Sequence, residues 1–273
     1  MIPFTKLHGN GNDFILIDEY EREVIPAVEK ASFAEKYCHR RFGIGADGVL
    51  YLGRSERADL RMRIFNSDGT EAEMCGNGIR CLVKYALDKG YIKTEGSVET
   101  LAGVLPISSH VEDRTWIRVN MGKPQFTREI IQVRGTGEFL EVNLHGYKVS
   151  AVNTGVPHAV VFVDSLENDL ISKAPLIRYD PVFPKGTNVN FVRVDSDDEI
   201  TIRTYERGVE AETLSCGTGA VASAAIASRL GKTGKKVKVN TKGGELRITL
   251  ADDAAFMEGP AERVFDGLIC END

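Results

Sequence analysis

The chain has 273 residues, of which 42% are hydrophobic, and a formal net charge of −6 at pH 7. This length allows one large domain or two ordinary ones, and the acidic balance with scattered basic residues argues against nucleic-acid binding. No apolar run approaches the roughly 18 residues of a membrane helix, and the N-terminus lacks a basic segment followed by an apolar core, so we expect a cytoplasmic protein without a membrane partner.

The cysteines give a second limit on the class of protein. Cys38, Cys75, Cys81, Cys216 and Cys270 are odd in number and irregularly spaced, which fits neither a disulfide framework nor a CxxC-type zinc site. We therefore expect reduced thiols in a reducing compartment and no metal. Cys38 and Cys81 are interpreted as packing residues and Cys270 as part of the tail.

In the first half of the chain, short strand-like runs alternate with turns and two helical patterns. The turn-rich segment 8–13 lies between two strands and can present asparagine side chains to a ligand. A helix is predicted over 32–41, and the apolar spacing within 79–87 predicts a second helix that ends at Gly90. The predicted strands are 4–7, 14–17, 49–52, 60–65, 97–101, 104–107 and 115–120.

The second half contains the same kinds of element in a similar order. A short helix is predicted over 165–174, and the alanine-rich run 220–227 after Cys216 predicts a helix with few polar faces, which implies near-complete burial. The predicted strands are 147–152, 159–163, 190–194, 199–205, 236–240, 245–250 and 255–258.

A fixed offset relates the two halves. Cys216 follows Cys75 by 141 residues, and the segment 241–248 (TKGGELRI) follows 100–107 (TLAGVLPI) by the same interval. Because self-similarity at a fixed period indicates repeated structural units, we predict an α+β fold of two pseudo-symmetric lobes. Each lobe is expected to be a mostly antiparallel sheet or roll wrapped around a central apolar helix.

The predicted lobe boundaries follow from this repeat. The N-terminal lobe is placed at 1–119 and the C-terminal lobe at 120–264. The C-terminal segment 265–273 is expected to join the N-terminal lobe.

Cys75 and Cys216 each stand just before a Gly-x-Gly turn that opens a helix. Amide N–H groups at a helix N-terminus carry partial positive charge, lower the pKa of a thiol and attract a carboxylate. Lobes related by a pseudo-twofold axis would place the two thiols on opposite sides of one small ligand. One thiolate can then remove a proton from carbon while the other thiol protonates the opposite face, which inverts a stereocentre without a cofactor.

Six motifs in a fixed order carry a family resemblance across nearly the whole chain. They are HGNGNDF at 8–14, GIGADG at 43–48, FNSDG at 65–69, MCGNG at 74–78, YERG at 205–208 and CGTG at 216–219. Together they resemble diaminopimelate epimerase. That family is a two-lobed, cofactor-independent enzyme that interconverts LL- and meso-diaminopimelate in lysine and peptidoglycan precursor biosynthesis.

The resemblance assigns roles residue by residue. It implies that Cys75 and Cys216 are the catalytic pair, with Cys75 the base on the LL substrate and Cys216 the base on the meso substrate. It implies that His158 and Glu206 tune the thiol pKa values, and that Arg207 pairs with the distal carboxylate. The substrate-binding residues that it implies are Asn12, Asn66, Gly76, Asn77, Asn188, Glu206, Arg207, Gly217 and Thr218.

Two positions depart from the family pattern. Gly48 stands where some members carry glutamine, and Val156 stands where asparagine is frequent, which shifts substrate contacts onto Asn66, Asn188 and Arg207. We expect a small-molecule substrate, no metal or organic cofactor, no nucleic-acid partner, and a homodimer.

Two alternative functions stay open at the level of sequence. The nearest is another racemase or epimerase of the same fold, of the proline or hydroxyproline type. Those relatives commonly carry histidine after the first Cys-Gly and Asp-Arg-x-Pro before the second cysteine, where this chain has Asn77 and the segment 206–208 (ERG). The other alternative is a thiol redox protein or a non-catalytic binding module, and a redox protein would need a disulfide in its working cycle.

Overall fold

The structure is a computed structural model that describes residues 1–270 of the chain. Its contacts define two compact units, one of Met1–Val119 together with the chain from Gly259 onward, and one of Asn120–Glu258. The second unit thus ends at Glu258, six residues before the predicted end of the C-terminal lobe at 264. The chain beyond it belongs to the first unit because the last strand, which begins at Glu262, pairs with the first strand. Of the predicted segment 265–273, residues 271–273 lie outside the described residues.

The N-terminal unit begins with ten regular elements. They are β1 (Ile2–Gly9), β2 (Asn12–Glu19), α1 (Lys30–Tyr37), β3 (Gly48–Gly53), β4 (Leu60–Asn66), β5 (Glu71–Ala72), α2 (Gly76–Lys89), β6 (Glu95–Thr100), β7 (Gly103–Val111) and β8 (Thr115–Asn120). Neighbouring strands pair antiparallel, except that β2–β3 and β4–β6 pair parallel. The strands β1 to β4 pack against α2, whose apolar stripe is fully buried at Ile79, Leu82, Val83 and Ala86.

The second unit is built in the same way around another helix. Its elements are α3 (Arg128–Ile131), β9 (Val142–Leu144), β10 (Tyr147–Asn153), β11 (Pro157–Phe162), α4 (Ala174–Arg178), β12 (Asn188–Ser196), β13 (Glu199–Glu206), β14 (Ala211–Thr213), α5 (Gly217–Arg229), β15 (Lys236–Thr241), β16 (Gly244–Leu250) and β17 (Ala255–Pro260). The chain then enters β18 (Glu262–Ile269), which pairs antiparallel with β1. The helix α5 packs against β10 to β13, β15 and β16, and it is buried from Gly219 to Ala227.

The 141-residue repeat is visible in the order and pairing of the elements. The parallel pairs β2–β3 and β4–β6 of the first unit correspond to the parallel pairs β11–β12 and β13–β15 of the second. The central helices α2 and α5 both follow a two- or three-residue strand. The predicted α+β class, with sheets wrapped around apolar helices, is confirmed.

Three local predictions differ from the structure. The helix predicted over 32–41 ends at Tyr37, because the chain then folds back so that Ile44 and Gly45 donate to the Tyr37 carbonyl. The helix predicted over 165–174 is a 3-10 segment over 168–173 that continues into α4. The strand β18 was not predicted, because most of its residues are exposed and show no alternation of apolar and polar side chains. Within residues 1–270 no helix combines the length and apolarity needed to cross a membrane.

Candidate active site

Cys75 is the N-cap residue of α2, with an extended backbone at φ −140° and ψ 118°. This conformation turns the half-buried thiol back over the helix entrance, where the Gly78 N–H donates to Sγ at 3.4 Å. On its other side, Sγ lies 3.7 Å from the Asn12 side-chain oxygen, which also accepts from the Asn77 amide at 3.2 Å. Three of the predicted site residues, Cys75, Asn12 and Asn77, therefore lie together.

A charged network fixes the orientation of Asn12. Its amide nitrogen donates to Asp47 at 2.6 Å, and Arg40 bridges Asp47 and Asp13 with 2.7 Å contacts to each carboxylate. Lys6 donates to Asp13 from the buried side at 2.6 Å. Although burial opposes ionisation, the hydrogen bonds from Arg40 and Lys6 lower the pKa of Asp13 to about 2. The Asn12 oxygen is thereby left facing the thiol.

Arg80, one turn into α2, is fully buried and contacts residues at the N-terminus of this helix. Its guanidinium donates to Asn10 at 2.7 Å, to Asn77 at 3.0 Å, and to the carbonyls of Gly76 and Pro260 at 3.1 and 3.2 Å. Burial lowers the pKa of Arg80 to about 10, so the group stays charged at neutral pH. A fixed positive charge therefore lies beneath the Cys75 entrance.

Cys216 is the N-cap residue of α5, with nearly the same backbone conformation at φ −118° and ψ 110°. The thiol is buried, and its sulfur lies 3.4 Å from the Thr218 hydroxyl oxygen. The next glycine of the motif, Gly219, passes so close that a Cβ there would stand 3.3 Å from Sγ. The Cys-Gly-x-Gly motif thus leaves the space beside the sulfur that a side chain would fill.

His158 is fully buried beside this second entrance. Its Nε2 lies 2.9 Å from the Thr218 hydroxyl, and its Nδ1 lies 3.0 Å from the Asn190 amide nitrogen. Burial, together with the charge of Arg207, lowers the pKa of His158 to about 3, so the imidazole is neutral at physiological pH. The structure therefore links His158 to Cys216 through Thr218.

Asn188 and Arg207 form a third part of the predicted set. The buried Asn188 donates to the Pro157 carbonyl at 3.0 Å, and its oxygen accepts from the Arg207 N–H at 2.8 Å. The half-buried Arg207 guanidinium contacts the carbonyls of Lys185 and Gly186, both at 3.3 Å. Burial disfavours the charged form of the guanidinium and lowers the pKa of Arg207. A carboxylate bound beside it would stabilise that charge.

The remaining predicted residues occupy less central positions. Glu206, at the end of β13, accepts a hydrogen bond from the Thr213 hydroxyl. Asn66 is exposed at the end of β4 and donates to the Thr70 hydroxyl at 3.0 Å. Gly48 pairs with Asn66, and a Cβ at Gly48 would stand 2.6 Å from the Phe65 oxygen, so the strand pairing itself excludes a side chain there.

The other thiols differ from the two at helix entrances. Desolvation by burial raises the pKa of Cys38 to about 12 and that of Cys81 further above its ordinary value, so both stay protonated and act as packing residues. Cys270 is exposed. No cluster of three or more histidine, cysteine, aspartate or glutamate side chains suited to a metal occurs in the described part of the chain.

Three residues at these entrances were missed from sequence: Asn190, Asp47 and Arg80. Asn190 follows Asn188 by two residues on β12, and alternate residues of a strand share a face, so two buried amides in the apolar run 188–192 were a usable signal. Asp47 and Arg80 carried no comparable signal, because the contacts that tie them to the turn 10–12 join residues 35 and 70 positions apart in the chain.

The chain is similar to known proteins in sequence and in fold. The family described as diaminopimelate epimerase matches residues 4–127 and 150–264. The chain is 58% identical over 271 residues to the diaminopimelate epimerase of Methanothrix thermoacetophila, covering 99% of this chain and 96% of that one. It is 56% identical over 274 residues to the diaminopimelate epimerase of Archaeoglobus fulgidus, covering 100% and 98%. A solved Bacillus anthracis phenazine biosynthesis protein of the PhzF family has a TM-score of 0.74 at 19% identity, covering 98% and 99%, which shows a shared fold.

A repeated α+β fold with a thiol at the entrance of each central helix, together with these relatives, defines the class of protein as an isomerase of the racemase and epimerase type. Within that class, the chain belongs to the diaminopimelate epimerase family.

Proposed function

We propose that this protein interconverts LL- and meso-diaminopimelate by a two-base mechanism that uses the Cys75 and Cys216 side chains and no pyridoxal phosphate or metal. The product would serve lysine and peptidoglycan precursor biosynthesis. The observation that carries the proposal is the near-full-length similarity to diaminopimelate epimerases, combined with two cysteine N-caps of matching conformation.

In the proposed reaction one sulfur takes the proton from Cα of the substrate, and the other sulfur gives a proton to the opposite face of the same carbon. On the LL substrate Cys75 acts as thiolate base and Cys216 as thiol acid, and on the meso substrate the roles exchange. The N–H groups at the start of α2 and α5 carry the partial positive charge of a helix N-terminus. They support the charge that develops on the reacting carboxylate, with Gly76, Asn77, Gly217 and Thr218 as the donors.

Selection of a diacid is assigned to Arg207. Its guanidinium is half-buried among backbone carbonyls and can form a bidentate pair with the distal carboxylate. Asn188 sets the backbone at Arg207 through a 2.8 Å hydrogen bond. Asn12, Asn66 and Glu206 complete the proposed substrate contacts.

The decisive experiment is Cα–deuterium exchange in D₂O with no added cofactor, using LL-diaminopimelate in one arm and L-proline in the other. Exchange and epimerisation of diaminopimelate alone are expected. Exchange at proline alone would replace the proposal by a proline racemase, and exchange with neither substrate would favour a redox or binding protein.

Cysteine variants test the roles of the two thiols. Cys75→Ser and Cys216→Ser should each slow turnover by roughly 100-fold or more, because a hydroxyl is a far weaker base than a thiol near neutral pH. Cys270→Ser is the matched control, since that thiol is exposed, and it should keep the wild-type rate. Near-normal rates in both serine variants would refute a thiolate mechanism.

We also propose a homodimer in the cytoplasm. Strand β18 leaves Val264 and Leu268 more than half exposed, next to an exposed Met1, which makes an apolar surface suited to a second copy of the chain. Light scattering of the wild type and of Leu268→Asp tests this, with a dimer expected for the first and a monomer for the second. A monomeric wild type would contradict it.

A further inference from the structure

The tautomer of His158 is determined by the groups around it. The Ala159 carbonyl fixes the orientation of the Asn190 amide, because a carbonyl only accepts and the amide nitrogen donates to it at 3.1 Å. The Asn190 oxygen then accepts from the Thr204 hydroxyl at 2.9 Å. The amide nitrogen is therefore the atom that faces His158 Nδ1 at 3.0 Å. Because an amide nitrogen only donates, Nδ1 must be the unprotonated acceptor.

A neutral imidazole carries one proton, which is then on Nε2. The Nε2–H points at the Thr218 hydroxyl oxygen 2.9 Å away and uses it as an acceptor. The hydroxyl proton of Thr218 is thus free to turn toward the Cys216 sulfur at 3.4 Å. In this series of hydrogen bonds, Asn190 donates to His158, His158 donates to Thr218, and the Thr218 hydroxyl can then donate only to another acceptor such as the Cys216 sulfur.

We propose that Asn190 is a positioning residue that holds His158 in its Nε2–H form, so that the Thr218 hydroxyl donates to Cys216 and stabilises the thiolate. The inference rests on the proposed role of Cys216 as a base. It changes the role of His158, which acts as a fixed neutral hydrogen-bond donor and does not gain or lose a proton in the reaction.

The close packing around this chain supports a positioning role. A Cβ at Gly219 would lie 2.5 Å from the Asn190 oxygen, so the glycine of the cysteine motif makes room for Asn190 as well as for the thiol. The charge of Arg207, which directly follows β13, disfavours an imidazolium at His158 and adds to the effect of burial. An imidazole that stays neutral is what the relay requires.

The Cys75 entrance is built differently. There the sulfur accepts from a backbone N–H, of Gly78, and faces an acceptor oxygen, that of Asn12. At the Cys216 entrance the sulfur instead lies beside a side-chain hydroxyl, that of Thr218. The two thiols are therefore stabilised as anions by different groups, which can be altered separately.

Nitrogen-15 NMR of the histidines in the free protein tests the tautomer directly. The wild type should show His158 as the Nε2–H form, with no change over the neutral pH range. A Nδ1–H form or an imidazolium at neutral pH would overturn the proposal. This NMR measurement needs no substrate, so its result is independent of whether the protein epimerises diaminopimelate.

The effect on the thiol is measured as the iodoacetamide alkylation rate of Cys216, followed by peptide mapping. Asn190→Leu and Thr218→Val should each slow alkylation at neutral pH by about tenfold, because a hydrogen bond to the anion is lost. The rates should match the wild type once the pH is well above the Cys216 pKa of every variant, because the thiol is then ionised with or without the hydrogen bond. Cys270 in the same samples is the internal reference and should not change.

His158→Gln is the discriminating variant, since its amide N–H can still donate to Thr218 but cannot titrate. It should keep the Cys216 alkylation rate within about twofold of the wild type, whereas a tenfold loss, equal to that of Thr218→Val, would overturn the proposal. If Asn190→Leu fails to fold, Asn190→Ala replaces it, because the smaller side chain also removes the amide nitrogen that faces Nδ1. Unchanged Cys216 rates in the folded Asn190 variant would also overturn the proposal.

Discussion

At the scale of single residues, the site consists of short hydrogen-bonded chains that end on a sulfur. Thr218 was expected to bind substrate, and its side-chain hydroxyl lies between His158 and Cys216. Asn12 was expected to bind substrate, and its oxygen faces Cys75 because its nitrogen is held by Asp47. The family resemblance gave these candidates, and the partner of each side chain gave its direction.

The buried His158 should make stability depend on pH. Its pKa is about 3 when folded, against about 6.5 for an unperturbed histidine, so the unfolded state binds more protons between these values. The stabilisation is fully present above about pH 6.5 and is lost as the pH falls toward 3. Urea unfolding at pH 8 and pH 5 should show that the wild type loses roughly 2 kcal/mol more than His158→Gln.

The exposed His110 supplies the control for this measurement. His110→Gln should keep the same difference between pH 8 and pH 5 as the wild type, since its ring lies at the surface. An identical pH dependence in the wild type and in His158→Gln would mean that His158 is not buried as a neutral group.

Arg80 is expected to be a stability determinant of the Cys75 entrance. Arg80→Lys keeps the charge but cannot reach Asn10, Asn77 and the Pro260 carbonyl at once, so buried acceptors lose their donors. We expect a loss of roughly 2–4 kcal/mol in the free energy of unfolding, measured by urea denaturation. Arg41→Lys, at an exposed position, should change it by less than about 0.5 kcal/mol, and an equally small change for Arg80→Lys would contradict this role.

At the scale of elements, the repeat preserves the start of each central helix. In both units a cysteine with an extended backbone precedes a helix, and the second glycine of the motif touches the cysteine side chain. The distance from a Cβ at Gly78 to the Cys75 Cβ would be 3.4 Å, and the corresponding distance at Gly219 would be 3.2 Å. The glycines are required by this close approach, because neither has a positive φ.

Gly219→Ala tests the packing at the α5 entrance. The added methyl group would press on the Asn190 oxygen and on Cys216, so we expect a destabilisation of roughly 1–3 kcal/mol and a loss of epimerase activity. Gly234→Ala is the matched control, since its nearest neighbour would be the Asp197 oxygen at 3.9 Å. Thermal unfolding and the deuterium-exchange assay on both variants measure the effects, and wild-type behaviour of Gly219→Ala would show that the entrance tolerates a side chain.

Helices and strands could be predicted from the sequence where their apolar residues recur at a regular spacing. The two central helices followed from apolar spacing and from an alanine-rich run, since both are buried on most of their surface. Elements of two to four residues, such as β5, β14 and α3, were not predicted, because so short a segment contains no complete period.

At the scale of the whole molecule, the N-terminal unit is completed by the last strand of the chain. β18 pairs with β1 from Ile269 opposite Ile2 to Glu262 opposite His8, and Gly267 lies against the Phe4 ring. Bringing together strands from opposite ends of the chain has a large loop-closure cost, which the paired backbone and the buried ring offset. The stability of this unit therefore depends on residues at both ends of the sequence.

Gly267→Val should weaken this closure. A Cβ at that position would stand 2.4 Å from the Phe4 ring, so the ring or the strand must move, at a cost of roughly 1–3 kcal/mol. Hydrogen exchange should accelerate at the β1 amides and leave those of the second unit unchanged. Val111→Thr, a substitution at an exposed position of β7, should leave β1 protected. Protection of β1 in Gly267→Val equal to that in the wild type would show that β18 does not control it.

The sequence by itself determined the repeat, the α+β class, the two central helices and the pair of cysteines at their entrances, because each leaves a local pattern or a fixed interval in the chain. Only the tertiary structure decided that the C-terminal segment is a strand, β18, paired with β1, that Arg80 and Asp47 support the Cys75 entrance, and that Asn190 orients His158. Those features depend on which side chains meet across distant strands and on which atom of an amide or imidazole faces its partner. Such directions follow from packing and hydrogen-bond satisfaction in three dimensions, and no spacing along the chain encodes them.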